Sequence, residues 1–291
     1  MTQPTLLTVL ALILIPAVAH ADDEQAAAAR MAQEHQHDKP APTPAAAQEP
    51  AHPVSAEEVT YAQAGGKPVH GYLARPREAK GSLPALPALV VIHEWWGLND
   101  NIRSMTRRLA GEGYQALAVD LYGGATADTP DAAMKLMNGV LADTAPAAAN
   151  LKQAVAYLKG KGAKKIGVIG WCFGGGWSLQ TALLAPDDVA ATVIYYGHLE
   201  TDPAKLAILK SPVISFFGAE DKSIPVDGVH AFEAELKKQG KPVEVHVYDG
   251  AGHAFANPSG GNYRPEAARD AWQRTTAFLA RHLKGNDAGK G

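Results

Sequence analysis

Short apolar runs alternate with segments of helical periodicity, and this alternation constrains the fold more than any other feature of the chain. Apolar runs without polar alternation are typical of strands covered on both faces, and they occur at Ala88–Ile92, Gln115–Val119, Lys165–Ile169, Ala190–Tyr195, Val213–Phe217 and Val243–Val247. Apolar residues recur at helical spacing in Asn101–Gly111, Ala132–Leu141, Ala147–Leu158, Gly175–Leu184, Val226–Gln239 and Pro265–His282. The pattern predicts an α/β domain with a mostly parallel central sheet and helices on both faces.

A hairpin is expected before the first of these runs. Val59–Gln63 and Pro68–Ala74 have strand character and flank Gly65 and Gly66, which suit a tight turn. We therefore expect one domain over residues 55–285, long enough for a sizeable core, and a flexible tail over 286–291.

The N-terminus has the pattern of an export signal. An apolar run from Leu6 to Ile15 precedes Pro16 and the small-residue triplet of residues 19–21, although no Lys or Arg comes before the run. The run is too short to span a bilayer, which needs about 20 apolar residues. Residues 1–21 are therefore predicted to be a cleaved signal peptide, with an uncleaved anchor as the alternative, and the protein to be periplasmic or secreted without stable membrane association after cleavage.

Residues 22–54 have a different composition, rich in Ala, Pro, Gln and Glu and nearly free of large apolar side chains. Such a stretch cannot bury enough surface to offset the entropy of ordering it. We expect a disordered linker whose histidines, His35, His37 and His52, are solvated.

Charge and cysteine content exclude some classes of function. The formal net charge of -3 and the isoelectric point near 6.4 provide no basic field for nucleic acid. A single cysteine, Cys172, rules out an internal disulfide and needs another explanation. No metal site is predicted, and a monomer is the default expectation.

The lone cysteine lies in the stretch IGVIGWCFGGGWS, residues 166–178, between a predicted strand and a predicted helix. Gly170 and Gly174 flank Cys172 in the G-x-nucleophile-x-G spacing of a nucleophile elbow. Glycine avoids collisions at such a bend, and the helix N-terminus favours a thiolate. Free cysteines are often small buried hydrophobes, but this context favours a nucleophile.

A thiol nucleophile needs a base and an orienting acid, which follow it along the chain in this kind of fold. Asp221 comes after the predicted strand Val213–Phe217, and His253 follows the last strand. Both lie at strand ends, so they can converge with the cysteine at one edge of the sheet. Glu220 and Asp249 remain alternatives for the acid, and Asp221 is favoured by its place in the loop.

The stretch VVIHEWWGLND contributes another carboxylate at a strand end, Glu94. A carboxylate shielded by Trp95 and Trp96 is costly unless it is paired. These residues and His93 could simply cover the end of the sheet, but their occurrence together with the elbow favours a functional role.

The segments HEWWGLND, GWCFGG, GAEDKSIP and GHAF, in this order, resemble the dienelactone hydrolase family of α/β-hydrolases. The resemblance spans nearly the whole predicted domain. It implies a triad of Cys172, His253 and Asp221, with Glu94 near the resting thiol. In the family this glutamate is thought to hold the thiol neutral until substrate binds.

The resemblance also implies an oxyanion hole formed by the backbone N–H groups of Trp95 and Phe173. One departure concerns the arginines that bind a substrate carboxylate in the best-known members. Asn257 follows the motif histidine here, and residues 121–158 contain no Arg. Arg264 or Lys135 would have to substitute.

The residues expected to line the substrate pocket are Trp96, Trp171, Tyr122, Phe255 and Asn257. The favoured hypothesis is an exported carboxylic ester hydrolase that cleaves a small ester or lactone through an acyl-enzyme and needs no cofactor. Two alternatives stay open. One is a non-catalytic ligand-binding protein on a hydrolase scaffold, and the other is a thiol-based redox protein, which would lack a resolving cysteine.

Overall fold

An eight-stranded sheet forms the centre of the molecule in the computed structural model, which describes residues 30, 33, 35, 40, 48–77 and 86–284. The predicted signal peptide, most of the predicted linker and the predicted tail lie outside the described residues. Among the residues that are described, no helix has the length and apolar character needed to cross a membrane.

The strands are β1 (Val54–Ala64), β2 (Lys67–Pro76), β3 (Ala88–Ile92), β4 (Gln115–Val119), β5 (Ile166–Trp171), β6 (Val189–Tyr195), β7 (Val213–Gly218) and β8 (Val243–Tyr248). The helices are α1 (Asp100–Gly111), α2 (Pro130–Ala142), α3 (Ala145–Gly160), α4 (Phe173–Leu184), α5 (Pro203–Leu206), α6 (Val226–Lys238) and α7 (Pro265–Leu279). A π-helical turn, Ala280–Lys284, follows α7. Every strand and every long helix expected from the sequence is present. The short α5 was not predicted, and Arg30 and Gln33, which fall in the predicted disordered linker, are helical.

The sheet has the strand order β1-β2-β4-β3-β5-β6-β7-β8. β1 and β2 pair antiparallel, β2 pairs antiparallel with β4, and the remaining strands are parallel to their neighbours. The connection from β3 to β4 runs in one direction across the sheet, and the later connections run in the other. Because such crossovers are right-handed, their helices lie on opposite faces, which confirms the predicted α/β architecture.

The local chemistry of the chain explains where these elements form. All five residues of β3 and all five of β4 are buried, as expected for apolar runs in the middle of a parallel sheet. Helix α1 begins after Asn99, whose side chain accepts a hydrogen bond from the N–H of Ile102 at 3.2 Å. Helix α2 begins after Thr129, with Pro130 in the first turn.

The parallel part of the sheet gathers five strand ends at one edge. β3, β5, β6, β7 and β8 are consecutive neighbours, so the loops that follow them lie side by side. These loops carry Glu94, Cys172, Tyr196, Asp221 and His253. Ligands of open α/β sheets bind at this carboxyl edge.

Candidate active site

The turn between β5 and α4 holds Cys172 in a strained backbone conformation, with φ 56° and ψ -121°. A Cβ added at Gly170 would lie 2.1 Å from the carbonyl oxygen of Gly174, and one at Gly174 would lie 2.4 Å from that of Ile92. Both glycines are therefore needed for the close approach of the backbone, as the elbow spacing indicates. Non-glycine residues in such a conformation cost about 1–3 kcal/mol and cluster at functional sites.

Backbone hydrogen bonds hold the turn in place. The N–H of Cys172 donates to the carbonyl of Tyr195 at 3.0 Å, and its carbonyl accepts from the N–H of Gly175 at 2.9 Å. Cys172 thus stands at the N-terminus of α4, where the partial positive charge of the helix favours an anion.

His253 and Asp221 form a buried hydrogen-bonded pair. Nδ1 of His253 lies 2.8 Å from Oδ2 of Asp221, and both side chains are fully buried. The other carboxylate oxygen accepts hydrogen bonds from the N–H groups of Ser223 and Ile224, each at 2.8 Å. The carboxylate is therefore fixed in position and orients the imidazole through Nδ1.

Charge around His253 favours its protonated form. Burial alone would lower the pKa of His253, but the Asp221 carboxylate and the Cys172 sulfur raise it well above its ordinary value. The Nε2 atom is buried and has no hydrogen bond of normal geometry with the described residues, although Cys172 lies close enough to act on it. Catalytic contacts are often loose before substrate binds.

The two alternative acids are unsuited to orient the histidine. Glu220 and Asp249 are exposed, whereas Asp221 is buried and bonded to the ring. Exposure leaves a carboxylate screened by water. Of the three carboxylates considered from the sequence, only Asp221 contacts His253.

Glu94 is buried beside the same centre and is held by two neutral side chains. Its Oε2 accepts a hydrogen bond from Nδ2 of Asn257 at 2.7 Å, and its Oε1 accepts from the Tyr196 hydroxyl at 3.4 Å. Burial first, and then the charges of Glu94 and Cys172, raise the pKa of Tyr196 well above its ordinary value. Glu94 and the sulfur therefore both lie near this tyrosine.

His93 braces the turn that carries Glu94. Its Nδ1–H donates to the Glu94 carbonyl at 2.6 Å, and its Nε2 accepts from the N–H of Leu121 at 3.2 Å. Burial lowers the pKa of His93, so the ring stays neutral with both nitrogens bonded. This histidine has a structural position, as the simpler sequence interpretation allowed.

The backbone N–H groups of Trp95 and Phe173 have no acceptor in the described part of the chain. Trp95 lies shortly after the buried end of β3, and Phe173 is the first residue of α4, next to Cys172. Buried N–H groups are normally satisfied, and those left open at a site can bind an oxyanion.

Two of the predicted pocket residues contact Trp95 and Phe173, the residues expected to supply the oxyanion hole. Trp96 contacts Trp95, with ring centroids 4.9 Å apart. Tyr122 contacts Phe173 at 5.6 Å, and burial first, then the charge of Cys172, raises the pKa of Tyr122. The Tyr122 hydroxyl is buried and has no hydrogen-bond partner among the described residues.

Two other predicted pocket residues pack against aromatic side chains. Phe255 is fully buried, 5.4 Å from the ring of Tyr196 and 5.1 Å from that of Tyr248, which is a core environment. Trp171 stacks on Tyr195 at 5.4 Å and lines a cavity between α1 and α7. Alternation along β5 explains this position, because neighbouring side chains of a strand point to opposite faces.

The two cations considered as substitutes for the family arginines are both exposed. Arg264 is exposed and donates through Nε to the carbonyl of Gly250 at 3.0 Å, which ties down its own loop. Lys135 is exposed on α2. Asn257 instead bonds the buried Glu94 carboxylate.

Two residues of the site were not found from the sequence. The ring of Tyr196 lies 5.2 Å from that of His253. Its position directly after β6, at the carboxyl end of a strand, could have identified it as a residue of the site. His35, expected to be solvated, is only 3 % exposed and lies against the rings of Trp95 and His253. Nothing local in an Ala- and Pro-rich stretch indicated that contact.

Comparison with known proteins gives consistent matches. The sequence model described as "Dienelactone hydrolase family" matches residues 69–283. "Protein usf" of Aquifex pyrophilus is 36% identical over 226 residues, which cover 75% of this chain and 95% of that protein. A protein of Saccharolobus solfataricus named as a candidate carboxymethylenebutenolidase is 32% identical over 266 residues, covering 78% of this chain and 99% of the relative.

A solved structure shares both the fold and the length of the domain. The crystal structure of a candidate dienelactone hydrolase from Klebsiella pneumoniae superposes with a TM-score of 0.69 at 29% sequence identity. The match covers 79% of this chain and 100% of that structure.

Proposed function

The chain belongs to the dienelactone hydrolase family, a family of ester and lactone hydrolases, and we propose that it cleaves its substrate by covalent catalysis at Cys172. The observation that carries the proposal is the buried 2.8 Å contact between His253 and Asp221 at the strand ends beside the elbow. An acid, a base and a strained thiol in one site form the arrangement that nucleophilic acyl transfer requires.

The first half-reaction forms a thioester. The raised pKa of His253 favours the form in which the imidazole holds a proton, so His253 takes the proton of the Cys172 thiol as the sulfur attacks the carbonyl carbon. The carbonyl oxygen gains the negative charge and accepts hydrogen bonds from the N–H groups of Trp95 and Phe173. When the carbon–oxygen bond breaks, the departing alkoxide takes the proton from His253. With a lactone, the released hydroxyl stays attached to the acyl group.

The second half-reaction hydrolyses the thioester. His253, now neutral, removes a proton from water as the water oxygen attacks the acyl carbon, and the thiolate leaves. Asp221 keeps the imidazole oriented and stabilises its charge in both steps. Loss of one oxyanion donor typically costs about 3 kcal/mol of transition-state stabilisation.

Tyr122 is suited to orient the substrate. Its buried hydroxyl has no partner in the described residues, and it lies within electrostatic reach of Cys172. A hydroxyl in this situation gains a hydrogen bond when a polar ligand binds. We propose that it donates to an oxygen of the ester or lactone.

The preferred substrates carry no carboxylate near the scissile bond. Arg264 is bonded to the backbone of its own loop, Lys135 is exposed, and Asn257 brings no positive charge to Glu94. A substrate carboxylate at that position would face the Glu94 carboxylate across a site of low dielectric constant, which is unfavourable. A panel of matched esters and lactones with and without a carboxylate tests this preference, and higher kcat/KM for the acidic members would refute it.

We further propose that the protein is exported through residues 1–21 and acts as a monomer in the periplasm or outside the cell. The apolar run from Leu6 to Ile15 and the following small residues support export. Fractionation, N-terminal sequencing and size-exclusion chromatography test this. A cytoplasmic product that still begins at Met1 would contradict it.

Replacement of the nucleophile tests the chemistry. Cys172→Ala should abolish turnover of a small activated ester, and Cys172→Ser should retain at most a small fraction. His230→Ala, an exposed histidine on α6, is the matched control and should keep full activity. Undiminished turnover by Cys172→Ala would refute the mechanism.

A further inference from the structure

A cavity of about 350 Å³ lies between α1 and α7. Trp171, the residue before Cys172, forms part of its wall, but the residues described around it do not include Cys172, His253, Asp221 or Glu94. Small-molecule sites in proteins typically have volumes of about 300–1,000 Å³. The cavity is therefore large enough for a compact ligand and is distinct from the proposed triad.

The charged groups around the cavity are positive. Arg108 on α1 and Arg269 on α7 both line it, and the described residues of its wall include no Asp or Glu. The guanidinium of Arg108 lies over the ring of Trp272, 4.0 Å from its centroid, and donates to Sδ of Met105 at 3.4 Å. A thioether is a weak acceptor. These contacts hold the guanidinium at the cavity without neutralising its charge.

Arg108 differs from the other arginines of α1. Arg103 pairs with Glu58, and Arg107 lies 3.7 Å from Glu49, whereas no carboxylate in the described part of the chain pairs with Arg108. Burial lowers the pKa of Arg108, but a guanidinium keeps its charge at neutral pH and presents five N–H donors in a planar fork. This geometry is suited to bind both oxygens of a carboxylate.

A buried acceptor also faces the cavity. Asn101 on α1 is 6 % exposed and lines the cavity, and its Nδ2 donates to Oγ of Ser259 at 2.9 Å. Its Oδ1 is buried and has no hydrogen-bond partner among the described residues. Because buried polar atoms are normally satisfied, this oxygen indicates a position where a hydroxyl of a ligand can donate.

The spacing of these two groups indicates the shape of the ligand. Asn101 and Arg108 are seven residues apart, so they lie on one face of α1 with their Cα atoms about 10 Å apart along the helix. Met105 lies between them, and Trp171 and Trp272 provide aromatic surface. A flat apolar ring with a carboxylate at one end and a hydroxyl at the other suits this arrangement.

We propose that the cavity between α1 and α7 is a second ligand site, which binds a small aromatic hydroxy acid. The carboxylate accepts two hydrogen bonds from the guanidinium of Arg108, and the hydroxyl donates to Oδ1 of Asn101. The ring packs against Met105, Trp171 and Trp272. The inference goes beyond the proposed hydrolysis and does not depend on it, because the site contains no residue of the triad.

Isothermal titration of the full chain with para-hydroxybenzoate tests the site. Arg108→Gln should weaken binding at least tenfold, because the charge-assisted hydrogen bonds to the carboxylate are lost. Arg107→Gln, at an exposed position on the same helix, is the matched control and should bind as the wild type does. Melting temperatures close to that of the wild type show that both variants are folded. Equal affinity in Arg108→Gln and the wild type would overturn the site, as would no binding by the wild type at millimolar ligand.

Comparison of ligands on the wild-type protein tests Asn101 without a variant. Benzoate lacks the hydroxyl, and the oxygen of para-methoxybenzoate can only accept. Each should bind about threefold to tenfold more weakly than para-hydroxybenzoate. Equal binding of the three ligands would overturn the assignment of the hydroxyl to Asn101.

Alkylation separates this site from the active site. Because Cys172 is the only cysteine among 291 residues, iodoacetamide blocks the proposed nucleophile alone. The alkylated chain should bind para-hydroxybenzoate with unchanged affinity. Loss of binding after alkylation would place the ligand at the sulfur and overturn the second site. A failure of ester hydrolysis would refute the proposed function and leave these binding results as they are.

Discussion

The two sides of the proposed nucleophile differ in how they are built and in what they do to the sulfur. On one side, Cys172 lies at the N-terminus of α4 and close to His253, whose protonated form Asp221 stabilises. On the other side, Glu94 brings a buried carboxylate that accepts hydrogen bonds from Asn257 and Tyr196. The first side favours the thiolate and the second opposes it, since like charges disfavour each other in a buried site.

The difference shows which parts of a site local sequence can specify. The elbow depends on residues within one short stretch, where each glycine has a steric reason. The Glu94 side depends on three segments that are far apart in the chain and meet only in the folded molecule. Five sets of experiments separate the two sides, ordered from the largest expected effect to the smallest.

Loss of the orienting acid should have the largest effect. Asp221→Asn keeps the shape but removes the charge that holds the imidazole in its productive tautomer, so kcat/KM should fall by about 10²–10⁴-fold. Steady-state kinetics on a small ester measure this. The matched exposed variant Asp249→Asn should be unchanged, and equal losses in the two variants would contradict the assignment of Asp221.

Substitutions in the elbow should also lower the free energy of unfolding more than substitutions on the Glu94 side. Gly174→Ala places a Cβ 2.4 Å from a backbone carbonyl oxygen, and overpacking of this kind costs about 3 kcal/mol. Urea denaturation measures the free energy of unfolding. Gly139→Ala, at an open position of α2 with no atom within 4 Å, should instead stabilise by about 0.5–1 kcal/mol. An unchanged free energy of unfolding in Gly174→Ala would show that the elbow does not need glycine for steric reasons.

The pH dependence of stability should reveal the charge on the elbow side. Because the pKa of His253 is raised on folding, its protonation contributes stability that is fully present below the unfolded value of about 6.5. That contribution is lost as the pH rises through the folded value. The difference in unfolding free energy between wild type and His253→Gln should therefore shrink above about pH 6.5. A difference that grows with pH would contradict the ion pair.

On the Glu94 side, removing the carboxylate charge should increase the reactivity of the sulfur. Glu94→Gln should be alkylated about threefold to tenfold faster than wild type near neutral pH, since a nearby negative charge has been removed. Asn257→Arg should act on the sulfur in the same direction, because the added cation neutralises the Glu94 carboxylate while leaving it in place, and it should also improve acceptance of acidic substrates. Slower alkylation of Glu94→Gln would show that the carboxylate assists the thiolate at rest.

Removing the hydroxyl groups of Tyr122 and Tyr196 should have the smallest effects on kcat/KM, and the difference between the two losses should show on which side of the sulfur the substrate binds. Tyr122→Phe removes a proposed substrate donor and should lower kcat/KM by about threefold to tenfold. Tyr196→Phe removes a long 3.4 Å hydrogen bond to Glu94 and should cost less than about threefold. A larger loss in Tyr196→Phe would place the substrate on the Glu94 side.

Most of the fold could be predicted from the sequence, because each strand of the parallel sheet is a short apolar run that can be recognised from its own few residues. The predicted bounds of β3 and β4 agree with the structure, and helices α2 and α3 begin two residues before the predicted positions. Those starts depend on Pro130 and Pro146 in the first helical turn, where proline is tolerated although it breaks a helix interior.

The site was only partly accessible, for physical reasons. Strand ends located Glu94, Cys172, Asp221 and His253, since parallel strands deliver their loops to one edge. The contacts of Asn257 with Glu94 and of His35 with His253 join residues far apart in sequence, and no periodicity encodes them. Phe255, two residues from His253, packs into the core because adjacent turn residues can point in different directions.

Mass spectrometry of enzyme quenched during turnover of a slowly deacylating ester tests the central claim most directly. We expect one acyl group per molecule, attached to the peptide that contains Cys172, with an initial burst of alcohol equal to the enzyme concentration. The adduct should be absent in Cys172→Ala. Sustained turnover with no acyl group on Cys172, at quench times shorter than one catalytic cycle, would contradict the account.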